Sequence, residues 1–126
     1  MATFNRRGDQ PDHALRAARA AVELQRQMAA VTAEHPDWPR LRVGVNTGTA
    51  EVREMGGPGY VVYAVVGDAI NVGSRLQEKA PLGGVLIGAE TRCRLPLEID
   101  AEPRPGLKVK GKQTPVDAYI LHSVAT

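Results

Sequence analysis

The chain carries one cysteine, Cys93, in 126 residues. An internal disulfide is excluded, and a lone thiol fits a reducing cytoplasm. Aromatic residues are scarce at 4%, so a core must be built from Val, Leu, Ile and Ala. The same scarcity removes the stacking surface that a single-stranded nucleic acid needs. Net charge is only +2, and the 16 basic residues are scattered, which argues against a nucleic-acid partner. No apolar run approaches about 18 residues, so no membrane insertion is expected. The opening Met1-Ala2-Thr3-Phe4-Asn5-Arg6-Arg7 has no apolar stretch of the secretion-signal kind. His13, His35 and His122 show no metal-ligand spacing. Gly56-Gly57-Pro58-Gly59 lacks the lysine and helix start that a phosphate-cradling loop requires.

What remains is the pattern of one small α+β domain. Residues 1–4 read as the tail of a strand. Asp9-Gln10-Pro11-Asp12 reads as a helix start with Asp9 as cap. A long helix follows to about residue 33, with an apolar stripe at Ala14, Ala17, Ala21, Leu24, Met28 and Val31. Leu41 to Val45 alternates as a strand, and a second strand is expected at Ala50 to Arg53. Glu54 to Gly59 reads as a loop, and the apolar Tyr60 to Val66 as a buried strand. A helix then runs to about Glu78. Val85-Leu86-Ile87 reads as a short strand and Ala89 to Arg94 as a short helix. Leu107 to Lys112 and Val116 to Leu121 read as two strands joined at Gln113-Thr114-Pro115. The alternation suggests helices covering one face of a sheet.

The most informative stretch is Val65-Val66-Gly67-Asp68-Ala69-Ile70-Asn71-Val72-Gly73-Ser74-Arg75-Leu76. Gly67-Asp68 turns a strand into a helix, with Asp68 available as N-cap. Asn71 and Arg75 are then i and i+4 on one helix face, near its N-terminus. An amide and a guanidinium so placed suit a ribose and a phosphate.

These residues carry a resemblance. Arg42-Val43-Gly44-Val45-Asn46-Thr47-Gly48, the Val65–Leu76 stretch, and Leu107-Lys108-Val109-Lys110-Gly111-Lys112 with Pro115-Val116 resemble successive blocks of a class III adenylate/guanylate cyclase catalytic domain. Gln10 to Ala17 resembles the start of the long helix in bacterial members. The resemblance implies a ferredoxin-like nucleotidyl cyclase fold and a head-to-tail dimer whose active sites draw on both protomers. It implies conversion of a nucleoside triphosphate, ATP before GTP, to a 3′,5′-cyclic nucleotide and pyrophosphate. Two metal ions, Mg or Mn, belong to that chemistry. By motif position, Asn71 would orient the ribose and Arg75 would stabilise charge on the α-phosphate. Lys110, with Lys112 as rival, would contact the terminal phosphates. Ala64, seven residues before Asn71, stands where the family places a base-recognising Asp, Thr, Ser or Cys, and its methyl group recognises neither purine.

The departures define the expectation. Family members carry one metal-binding aspartate on their first strand and another just before a segment resembling Met1 to Phe4. Neither has a counterpart in this sequence, and Asp9 and Asp12 lie too far along to replace them. The fold is therefore expected to be N-terminally truncated, with the first strand and following helices missing. Tyr60 to Val66 is expected to be exposed by that loss. The chain alone is expected not to cyclise a nucleotide, because no metal ligands are in place. Three readings follow: a cyclase domain from a longer protein, a non-catalytic cyclase-like dimerisation module, or a heterodimer half that supplies Asn71 and Arg75.

Overall fold

The computed structural model describes residues 1–107 and 116–123. In chain order the elements are α1 (His13–Glu34), β1 (Val43–Val45), β2 (Glu51–Gly57), β3 (Tyr60–Val66), α2 (Asp68–Lys79), β4 (Val85–Gly88), α3 (Ala89–Cys93), β5 (Ala101–Leu107) and β6 (Val116–Leu121). Four strands form one mixed sheet in the order β1-β4-β6-β5, and β2 and β3 form a separate antiparallel ribbon. β1 and β4 run parallel, and the ribbon and α2 make the crossover between them. The α+β class is as expected.

The core lies on both faces of this sheet, not on one. Val85 and Ile87 pack with Ala18 and Ala21 of α1 and with Leu95, Ile99 and Leu121. Leu86, between them, packs with Val72, Leu76 and Ala80 of α2 and with Ala118 and Ile120. Successive strand residues point to opposite faces, so an unbroken Val-Leu-Ile run demands cover above and below. The expectation of helices on one face fails for that reason. Leu76 is fully buried at the centre of the α2 face. Leu76→Ala should cost about 2–5 kcal/mol, read as a lower urea midpoint at unchanged m-value; a loss below about 1 kcal/mol would show that this face collapses freely around the gap.

Several boundaries differ from the sequence reading. Residues 1–4 form no strand. Instead, Asn5 and Gln10 close a loop, with the Gln10 amide donating to Asn5 Oδ1 at 2.9 Å and the Asn5 amide donating to Gln10 Oε1 at 3.3 Å. That loop delays α1 to His13 and puts Asp12, not Asp9, at the N-cap position. On α1 the buried positions are Ala14, Ala18 and Ala21, with Leu15 and Val22 packed beside them, and Leu24 is left 45% exposed. The helix has apolar residues around more than half its circumference, so spacing alone could not fix the face.

The ribbon holds the largest departures. β2 runs on through Met55, Gly56 and Gly57, which pair with Val62, Val61 and Tyr60, and only Pro58-Gly59 turns the chain. Gly59 has φ +88°, which makes the two-residue turn possible and converts the expected loop into a hairpin. β3 has the expected bounds, and Tyr60, Val61, Val62 and Tyr63 are all more than half exposed, against the reading of a buried strand and in line with the exposure expected of a truncated fold. At the other end, β5 begins at Ala101, where Pro103 and Pro105 disguise it. Proline is tolerated there because β5 is the edge strand of its sheet. The strand expected at Leu107 to Lys112 falls, past Leu107, outside the described residues, as does the turn at Gln113-Thr114-Pro115.

Candidate active site

α2 starts where β3 ends. Gly67 turns the chain at φ +148°, with the Thr49 carbonyl oxygen 3.2 Å from where a side chain would begin. Gly67 therefore occupies the N-cap position, and Asp68 is the first helical residue instead of the cap. Its carboxylate still lies at the positive end of the helix dipole. From there the apolar residues decide the helix's rotation. Val72, Leu76 and Ala80 go down onto the sheet. Asn71 and Arg75, each one residue earlier than a buried one, are carried to one flank of the helix together. Asn71 is exposed. The Arg75 side chain is 36% exposed, and its Nη1 donates to Glu78 Oε1 at 2.8 Å. The amide and the guanidinium can therefore be reached by one ligand from the same side.

The flank is held in place by the turn after β1. Asn46 Nδ2 donates to the Ala69 carbonyl oxygen at 3.0 Å, inside the first turn of α2. Gly88 makes this possible, since a Cβ there would collide with Asn46 Oδ1. One residue on, Thr47 Oγ1 lies 2.8 Å from Oγ1 of Thr91, which is wholly buried on α3. At Gly48 a side chain would begin 2.7 Å from Ala69 Cβ. β1 packs as closely against the helix body: a Cβ on Gly44 would abut the Gln77 amide nitrogen and lie 2.6 Å from the Gly73 carbonyl oxygen. α2 is thus seated on backbone, with little freedom to slide. A seated helix whose flank offers an amide and a guanidinium can position a hydroxyl and an anion relative to each other.

Residues 1–123 match the family described as the adenylate and guanylate cyclase catalytic domain. The chain belongs to that family. It is 30% identical over 114 residues to Adenylate cyclase 1 of Rhizobium meliloti (strain 1021), a match covering 85% of this chain and 17% of the relative. Among solved structures it resembles the adenylyl cyclase CyaB from P. aeruginosa, with a TM-score of 0.81 at 23% identity over 93% of this chain and 63% of that one. It also resembles the guanylate cyclase domain of RhGC from Catenaria anguillulae in complex with GTP, with a TM-score of 0.79 at 20% identity over 95% of this chain and 65% of that one. The structural likeness establishes the ferredoxin-like cyclase fold. The chain spans less than two thirds of these solved cyclase chains and about a sixth of the curated relative.

Within this cyclase-family fold the other expected site residues are placed unevenly. Ala64 is half-buried on β3, directly opposite Arg53 on β2. Lys110 and its rival Lys112 lie outside the described residues. Among the described residues no group of three or more His, Cys, Asp or Glu is gathered to hold a metal ion. The two-metal requirement of the family therefore does not fit the described side chains, and no step is assigned through a metal held by them. Among the described residues, no helix is long and apolar enough to cross a membrane.

Two residues escaped the sequence reading. Asn46 belongs to the Arg42–Gly48 block, yet nothing local shows that its amide reaches 23 residues ahead to Ala69. Arg53 could be paired with Ala64 only once the turn was located at Pro58-Gly59, and the glycines around that turn concealed it.

Proposed function

We propose that this domain binds a nucleoside triphosphate and contributes Asn71 and Arg75 to its cyclisation. The ribose 3′ oxygen bonds to the α-phosphorus, the bond to the bridging oxygen breaks, and pyrophosphate leaves. The Asn71 amide holds the ribose so that this attack is in line, and the Arg75 guanidinium offsets charge that grows on the α-phosphate. The observation that carries the reading is the accessible placement of both groups on one flank of a seated helix. Lys110 or Lys112 would meet the terminal phosphates. The family's two Mg or Mn ions would be held by carboxylates of a second cyclase domain. The likeness to Adenylate cyclase 1 supports ATP as substrate, and Cys93, an exposed free thiol, supports a reducing cytoplasmic setting.

The ribbon supports a dimer, with itself or with a second cyclase domain. Val52, Met55, Tyr60, Val61, Val62 and Tyr63 are all exposed on two strands that, among the described residues, pair only with each other. A two-stranded ribbon is marginal alone, and an apolar patch of this kind marks association. The same patch favours a second reading, a non-catalytic dimerisation or regulatory module. One experiment separates the two. The purified chain is assayed with ATP or GTP and Mn, alone and mixed with a cyclase that keeps its metal aspartates but has lost its own Asn/Arg pair. No turnover alone and restored turnover in the mixture is the expected result. Association without restored turnover selects the regulatory module, and turnover by the chain alone refutes the need for outside carboxylates.

A further inference from the structure

We propose that the Thr47–Thr91 hydroxyl pair fixes the first turn of α2, and with it Asn71, as a positioning device that itself needs no contact with the nucleotide. The inference rests on the cyclase reading and adds two positioning residues to it. Thr91 is the one buried polar side chain among the described residues. Its Oγ1 lies 2.8 Å from Oγ1 of Thr47, and one hydroxyl donates to the other. A hydroxyl so buried must keep its partner, because leaving it dry and unpaired is costly. The bond therefore dictates where Thr47 stands.

α3, which carries Thr91, starts directly after β4, and Val45 at the end of β1 is in register with Ile87 of β4. The chain leaves both strands of this parallel pair at the same end. In the turn after β1, the neighbours of Thr47 bear on α2. Asn46 Nδ2 donates to the Ala69 carbonyl oxygen at 3.0 Å, and a Cβ on Gly48 would begin 2.7 Å from Ala69 Cβ. Thr47, between them, reaches α3 instead. The turn is thus a strut, pinned to α3 at Thr47 and pressed on Ala69 two residues before Asn71. β1 bears on α2 farther along, at Gly73 and Gln77, so it seats the body of the helix and leaves the first turn to the strut. A hydrogen bond has a preferred direction, whereas apolar contact has none. The hydroxyl pair holds the strut at one setting, and a small shift in a group that orients a ribose lowers the rate of attack.

The test compares single and double variants in the mixture that restores turnover. Thr47→Val and Thr91→Val each strand one hydroxyl and should lower the urea midpoint. Each should also lower kcat about tenfold with KM within about twofold. Thr91→Ser keeps the hydroxyl and should keep most of the rate. The decisive chain carries Thr47→Val and Thr91→Val together. Two apolar side chains of the same shape suit each other, so the urea midpoint should return toward wild type while kcat stays low. Recovery of kcat along with stability would make the pair a packing contact and overturn the proposal. The second measurement is NMR on the chain alone. The side-chain amide protons of Asn46 should exchange with water more slowly than those of exposed Asn71, and about tenfold faster in the double variant than in wild type. That loss of protection supports the proposal even where the wild-type mixture is inactive, which is the outcome that sinks the cyclase reading alone. Protection unmoved in the double variant overturns the proposal whatever the turnover.

Discussion

An Arg75→Ala chain, mixed with the metal-competent partner, should turn over about a hundredfold to a thousandfold more slowly than the wild type at nearly unchanged KM. The reason is where the charge grows. The α-phosphate gains negative charge only as the 3′ oxygen approaches, so a cation fixed beside it lowers the barrier more than it tightens the ground state. α2 fixes that cation, because Val72 and Leu76 set the rotation of the helix and Asn46 holds its first turn. Folding should not confuse the result. The Arg75–Glu78 contact is between partly exposed side chains and contributes little to stability. Arg75→Lys keeps the charge but loses the planar fork, and should recover only part of the rate. A loss of less than about threefold in Arg75→Ala would remove this residue from the reaction.

Gly44→Ala should have a large structural effect for a one-carbon change. The added Cβ would press on the Gln77 amide nitrogen, lie 2.6 Å from the Gly73 carbonyl oxygen and lie 2.9 Å from Gln77 Cα. All three are backbone atoms of α2, which cannot rotate aside as a side chain does. The helix must lift from β1, opening the Val72–Leu76 side of the core. We expect a loss of roughly 3 kcal/mol in urea unfolding, at the upper end of overpacking costs. Restored turnover in the mixture should also fall about a hundredfold even well below the unfolding transition, since Asn71 and Arg75 move with the helix. A variant within about 0.5 kcal/mol of wild type would show that β1 and α2 give way independently of the site.

The contrast between what could and could not be read in advance has a physical basis. α2 and its pair were legible because their signals are local. Gly67-Asp68 turns the chain, and a four-residue spacing fixes a shared helix face whatever lies beneath. The length of β2 and the place of the ribbon's turn were not legible, because Gly56, Gly57, Pro58 and Gly59 all read as punctuation. Yet Gly56 and Gly57 are strand residues here, and only Pro58-Gly59 turns. That misreading hid Arg53 from Ala64. The buried face of α1 was ambiguous because alanine suits either side of it. β5 was masked by prolines that its edge position tolerates. The two-faced core could be inferred only from strand order, which brings β4 inside between β1 and β6. Short-range signals placed the candidate pair, and long-range packing decided everything around it.

The central claim is that the flank of α2 grips the ribose and α-phosphate of a triphosphate. A crystal structure of the chain with the metal-competent partner and a non-hydrolysable triphosphate analogue tests it most directly. The account predicts that Arg75 leaves Glu78 for an α-phosphate oxygen while the Asn71 amide meets the ribose. A nucleotide bound in the complex with Arg75 still paired to Glu78 and Asn71 in solvent would contradict it.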